Sequence, residues 1–196
     1  MPKIISDYER VRTQEAIVKH TKQLIIAKKG VKDVTVDDIV GSVGLAKGSF
    51  YSYFKSKEEC LYQVIETALE DVYKQVALIK KENLSTKEKA IKFVREVYLA
   101  EDRVAYYFNT TDIEALFRKL PSEYSEMEQN FIGTGLIENI MGLMDISRIQ
   151  AETFYTILEC IELTSANNTI SKQAKEEALN VLVQSLAEYA GKHSTA

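Results

Sequence analysis

Apolar residues recur three and four apart along nearly the whole chain, and the breaks between these runs are short. A first helix is predicted from about Thr13 to Lys29, with Ile17, Leu24 and Ile25 on one stripe, ending at Gly30 behind two lysines. Thr35 caps a short second helix carrying Ile39, Val40 and Val43 inward, with Asp38 at the third helical position and Gly44 as its stop. A third short helix spans about Ala46 to Phe54. The capping box Ser56–Glu59 opens a long fourth helix to about Lys81, apolar at Leu61, Val64, Ile65, Ala68, Leu69, Val72, Val76 and Ile79. Ser85 and Glu88 repeat the device for a fifth, reaching about Leu99.

Residues 102–120 read as shorter, less regular helices closed by Pro121, followed by a helix from Ser122 to about Met144. Ser147 with Gln150 starts the next, to about Asn167. Ser171 caps the last, to about Tyr189, with His193 in a frayed tail. With 8 Gly and 2 Pro in 196 residues, punctuation is too sparse for a β-sandwich or an α/β fold. The fold class is all-α.

Charge divides the chain. The net charge is -4, yet residues 1–60 carry 11 Lys/Arg against 8 Asp/Glu, and the rest 14 against 21. A basic segment on an acidic remainder is the pattern of a protein in which one part meets phosphate. Cys60 and Cys160 stand a hundred residues apart with no CxxC or His/Cys cluster, so neither a disulfide framework nor a metal site is expected. No run approaches 18 apolar residues, and a cytoplasmic protein with reduced thiols is expected.

In the stretch GLAKGSFYSYFKSKEE, residues 44–59, four aromatic rings crowd into positions 50–54 beside two glycines and three lysines. Two short helices around a Gly-containing turn make a helix-turn-helix, whose second helix enters the major groove. Phe50 and Phe54, four apart, share a face with Leu45 and pack on Ile39, Val43 and the first helix. Lys47, Ser49, Tyr51 and Tyr53 are left pointing outward, and Gly48 lets the backbone approach a phosphate or base edge. Arg10 and Arg12, ahead of the first helix, are either backbone contacts or part of a loose basic tail.

TVDDIVGSVGLAKGSFYSYFKSKEECL resembles the DNA-binding signature of the TetR (tetracycline-repressor-like) family of transcriptional regulators. The matching residues are Thr35, Ile39, Gly44–Leu45, Gly48, Tyr51, Tyr53, Phe54, Lys57 and Leu61, within a likeness covering residues 13–70. The resemblance implies a DNA-binding domain over residues 12–72, with its helix-turn-helix at about 35–54, and a helical ligand-binding and dimerisation domain over 73–196. The DNA-binding residues it implies are Thr35, Val36, Ala46, Lys47, Gly48, Ser49, Tyr51, Tyr53 and Lys57. Ala46 stands where the family usually has Ser or Thr, a loss of a hydroxyl cap that typically costs ~1 kcal/mol. Val40 and Val43 replace smaller residues, and Asp37 falls where some relatives place a basic base-reader.

The last two helices are apolar on more than one side. The final one offers Leu179, Val181, Leu182, Val183 and Leu186, and the one before it Ile149, Phe154, Ile157, Leu158, Ile161 and Leu163. A helix apolar on two sides is buried on two sides. The resemblance implies a homodimer through these helices, binding a palindromic double-stranded operator as a repressor. Tyr98, Tyr106, Tyr107, Phe108, Phe117, Phe131 and Tyr155 are candidates to line a pocket for a small, largely apolar or amphipathic effector, with the fourth helix as the mechanical link. No cofactor, membrane or catalytic role is expected. Ser52–Lys55 matches SxxK only by a short pattern, and His20 and His193 read as solvated. The competing reading is a helical small-molecule carrier or adaptor without operator-specific DNA binding.

Overall fold

The structure, a computed structural model, describes residues 6–100, 103–108, 110–124 and 134–195. Every regular element among them is helical: α1 Asp7–Lys28, α2 Val36–Val43, α3 Lys47–Phe50, α4 Lys57–Lys81, α5 Thr86–Lys92, α6 Thr110–Phe117, α7 Gly135–Met144, α8 Arg148–Ala166 and α9 Lys172–His193. Short 3₁₀ turns occupy Val104–Tyr107 and Ser122–Tyr124. The chain forms two compact units. One comprises Met1–Glu70 with Asp102–Glu126, the other Asp71–Glu101 with Met127–Ala196, so α4 contributes residues to both. Residues 102–126 thus belong with the helix-turn-helix segment. Phe131 and much of the helix expected from Ser122 lie outside the described residues.

In the first unit α1 begins earlier than periodicity suggests. Ser6 accepts from the Glu9 amide at 3.2 Å and the Glu9 carboxylate accepts from the Ser6 amide at 3.0 Å, a full capping box. Arg10 and Arg12 therefore stand on the helix, neither ahead of it nor in a tail. α1 ends on Lys29 in the left-handed region (φ 54°), and the Gly30 amide reaches back to the Ile25 carbonyl at 3.1 Å. Ile17 and Ile25 are fully buried, as are Val34 and Ile39. Thr21, also buried, donates to the Ile17 carbonyl at 2.7 Å and lies 3.5 Å from the Cys60 sulfur, which joins α1 to α4. Burial pushes the Cys60 thiol up to about 11, so it stays protonated and inert at neutral pH.

The 103–124 segment closes this unit through Val104, Phe108, Leu116 and Phe117, all buried. Two ion pairs tie it to the amino-terminal part of the unit: Lys32, in the turn between α1 and α2, with the buried Asp112 carboxylate at 3.1 Å, and Lys119 with Glu58 of α4 at 3.1 Å. Tyr62 stacks edge-on against Phe117 and Tyr124, with centroids 6.1 and 4.9 Å away, and burial pushes its phenol up to about 12.

The core of the second unit gathers Val76 and Ile79 of α4 with Phe93, Val94, Ile140, Met144, Phe154, Leu158, Ile161, Val183 and Leu186. α5 does not continue regularly to Leu99. Phe93–Tyr98 form a widened π turn in which the Leu99 amide reaches the Val94 carbonyl at 2.8 Å. In it Phe93, Val94, Val97 and Tyr98 are all buried, and the Tyr98 hydroxyl donates to Glu162 at 2.7 Å. α9 runs to His193, whose ring stacks on Tyr189 at 4.6 Å and meets the Gln150 amide at 3.0 Å, so His193 is an ordered last-turn residue and not a frayed one.

Candidate nucleic-acid interface

The helix-turn-helix is built from locally determined parts. Thr35 accepts from the Asp38 amide at 3.1 Å, while the Asp38 carboxylate accepts from the Thr35 amide at 2.8 Å and its hydroxyl at 2.6 Å. Lys28 adds a bond to the same carboxylate at 2.7 Å. That ammonium, with Thr35, holds the Asp38 carboxyl well below the usual carboxylate range. Aspartate at this position thus completes the box as a glutamate would. The Thr35 hydroxyl is occupied as a cap, which limits it as a contact for anything else.

Gly44 ends α2 in the left-handed region (φ 68°), where a Cβ is disfavoured, and the Leu45 amide closes on the Val40 carbonyl at 2.9 Å. The chain then enters α3 at Ala46 with no side-chain cap, as the missing hydroxyl predicts. α3 proper is one turn, Lys47–Phe50, shorter than the span Ala46–Phe54 suggested by its aromatic spacing. Residues 51–53 continue as a turn, with the Tyr53 and Phe54 amides both bonding the Phe50 carbonyl. Phe50 and Phe54 are buried with ring centroids 5.7 Å apart. Tyr51 is exposed and meets Phe50 edge-on at 5.4 Å, while Tyr53 is half-buried.

Lys47, Gly48 and Ala46 are exposed, with Ser49 and Val36 half-buried beside them. A Cβ built on Gly48 would meet nothing within 4 Å, so the packing of this chain does not require glycine there. Three contacts escaped sequence reasoning. Lys47 pairs with Asp37 at 2.9 Å, and that bond raises the lysine's pKa. The half-buried Lys57 ammonium donates to the Val34 carbonyl at 2.9 Å, tying the start of α4 to the residue before the α2 cap. Arg10 donates to the Ser52 carbonyl at 3.1 Å, just past α3. All three join residues ten or more apart, where no short motif gives a signal. Arg12 lies over the Tyr8 ring at 5.8 Å.

The effector candidates are divided between the two units. Tyr98 and Tyr155 belong to the second unit, and Tyr107, Phe108 and Phe117 to the first. Phe131 and the Tyr106 side chain lie outside the described residues.

The profile of the bacterial regulatory proteins of the tetR family matches residues 17–64, the segment from α1 to early α4. Residues 17–64 thus carry the DNA-binding segment typical of that family. An uncharacterised HTH-type transcriptional regulator in the lacX 3' region of Lactococcus lactis subsp. lactis is 41% identical over 59 residues, 30% of each chain. The uncharacterised HTH-type transcriptional regulator YfiR of Bacillus subtilis is 30% identical over 70 residues, 36% of this chain and 33% of its own. The matched stretch therefore spans about a third or less of these relatives. Two crystal structures share the fold along nearly the whole length. One, from Mesorhizobium loti and assigned to the TetR family, has a TM-score of 0.59 at 15% identity, covering 91% of this chain and 96% of its own. The other, RolR in complex with the ligand resorcinol, has a TM-score of 0.53 at 16% identity, covering 97% and 99%. The TetR-like amino-terminal domain and helical remainder are those expected from the sequence.

The division of labour within α3 sets the first test. Phe50→Ala should cost about 3–5 kcal/mol of stability by urea denaturation. Tyr51→Ala should cost about 1 kcal/mol or less, and Gly48→Ala should be neutral or stabilising by up to about 1 kcal/mol. A large loss from Gly48→Ala would show that position to be structural.

Proposed function

We propose that this protein is a dimeric transcriptional regulator that binds a palindromic operator through α3 and is modulated by a small apolar or amphipathic ligand. The observation that carries the DNA-binding part is the array of exposed Lys47 and Gly48 and half-buried Ser49 on α3 with exposed Tyr51 just past it, while Phe50 and nearby Phe54 are buried. Lysine neutralises phosphate, a tyrosine hydroxyl donates to it, and a glycine without an internal packing role leaves room for close approach. Lys57 and Thr35, occupied by internal bonds, act mainly by holding α2 and α4 in place. Regulation by repression is the family's usual mode and is the reading favoured here.

The dimer rests on the second unit. Ile149 (76% exposed), Leu163 (73%) and Val181 (61%) stand open on α8 and α9, although both helices also bury a full core stripe. On α8, Thr153, Thr156 and the exposed Cys160 fill the intervals between Ile149 and Leu163 at three- and four-residue spacing. Such a face is suited to the same face of a second copy. The effector reading is held by class alone, on the half-buried Tyr155 in one unit and the aromatic cluster Tyr62, Phe117 and Tyr124 in the other.

Enrichment of duplexes from a random library should return a palindrome with half-sites one or more helical turns apart. With about 6–10 phosphate contacts, its affinity should fall ~10³–10⁵-fold between 50 and 200 mM salt. Gly48→Ala and Tyr51→Ala should each weaken it by about tenfold or more with the fold intact. No enriched sequence, or a flat salt profile, favours the carrier reading.

Leu163→Glu should convert the dimer to a monomer in light scattering, because two like charges would face each other across the seam. The Cys160 thiol should then react faster with a disulfide reagent than in the parent protein, while Cys60 stays silent until the chain unfolds. An unchanged dimer places the seam elsewhere.

For the effector, a thermal-shift screen of lipophilic cations, acyl compounds and aromatic compounds should yield ligands that also change operator affinity. Loss of the shift in Tyr155→Ala or in Phe117→Ala assigns the ligand to one unit. Hits indifferent to both exclude these aromatics.

A further inference from the structure

The Asp37–Lys47 pair lies on the surface proposed to meet DNA. Both side chains are open to solvent, 69% exposed for the aspartate and 56% for the lysine, so the 2.9 Å contact is not forced by burial. It is a charge-assisted bond, Nζ to Oδ2, between the first turn of α2 and the first residue of α3. A phosphate oxygen arriving at Lys47 has to displace a carboxylate already seated there. The displaced carboxylate would then face a polyanion.

We propose that Asp37 is a specificity-determining residue, which competes with phosphate for Lys47 on any duplex and yields where a cytosine amino group donates to its carboxylate in place of the lysine. The inference rests on the DNA-binding reading above. Displacing the aspartate has the same cost on every sequence, since phosphates are everywhere alike. The compensation is not the same. An aspartate carboxylate can accept from cytosine N4 in the major groove, and the donor pattern that offers this is particular to the base. Sites with a cytosine in reach recover the lost contact, and others leave a carboxylate unpaired beside phosphate. Because the internal partner substitutes for a released counterion, Lys47 also contributes less to the salt dependence than an unpaired lysine would.

The test compares the parent chain with Asp37→Asn, which keeps the shape and removes the charge, on the duplex enriched by the parent and on one of mixed sequence. Fluorescence anisotropy over a salt series should show Asp37→Asn binding the mixed duplex ~3- to 10-fold more tightly. Its slope of log K against log salt should be steeper by about 0.9 per protomer. On the enriched duplex the gain should be smaller or absent, and a library enriched by Asp37→Asn should lose a cytosine from the motif. Lys47→Ala should cost less on the mixed duplex in the parent than in Asp37→Asn. Equal gains on both duplexes, no gain on the mixed one, or equal cost of Lys47→Ala in both backgrounds overturns the assignment while leaving DNA binding intact. A parent chain that enriches no sequence and binds neither duplex overturns the DNA-binding reading, and the role of Asp37 falls with it.

Discussion

The burial of Phe50 is the constraint on which the amino-terminal unit depends. α3 is a single turn with no side-chain cap, and an isolated turn of that length does not hold together in water. Its position is set from outside, by a ring with no exposed surface and by Phe54 lying 5.7 Å from it. Gly44 makes the turn sharp enough for α3 to fold back, and the Thr35–Asp38 box fixes where α2 begins. Remove the ring and the outward residues lose their frame together.

Around that frame the supporting contacts are mostly directed at backbone carbonyls. Lys57 reaches Val34, Arg10 reaches Ser52, and Lys28 reaches Asp33 as well as Asp38. Cationic side chains in a segment proposed to face DNA are readily read as phosphate ligands, yet several here complete the hydrogen bonding of loops. A charged donor to a carbonyl satisfies a group that a short turn leaves open. The basic excess of residues 1–60 is therefore partly a structural resource.

What could be read in advance followed from how local each signal is. The α2 and α5 caps and the Ala46 vacancy were legible because they involve residues three apart or fewer. Ser6–Glu9 carries the same local signal, but the apolar stripe that marks α1 begins only a turn and a half further on. At α4 the pattern was half right: Ser56 accepts from the Glu59 amide, but the Glu59 carboxylate bonds the Lys55 amide, not that of Ser56. The π turn was invisible to periodicity, since Phe93, Val94 and Val97 fit a regular helix equally well. Asp37–Lys47 could not be seen because it depends on how two helices are set around Gly44. The aromatic effector candidates are divided between the two compact units for a related reason: nearness in sequence does not decide which unit a residue joins.

The alternation across residues 47–54 has an evolutionary consequence. Phe50 and Phe54 carry the packing, while Lys47, Gly48 and Tyr51 contribute little internal contact beyond one surface ion pair and one edge-on ring. With the outward residues as the proposed recognition surface, selection on foldedness and selection on target recognition act on different letters of the same octapeptide. A duplicated copy of this gene could drift towards a new sequence preference through single changes at the outward letters without passing through an unstable ancestor. Drift at the inward letters is closed to it, which would leave the paired phenylalanines as the lasting mark of descent after the outward residues had diverged.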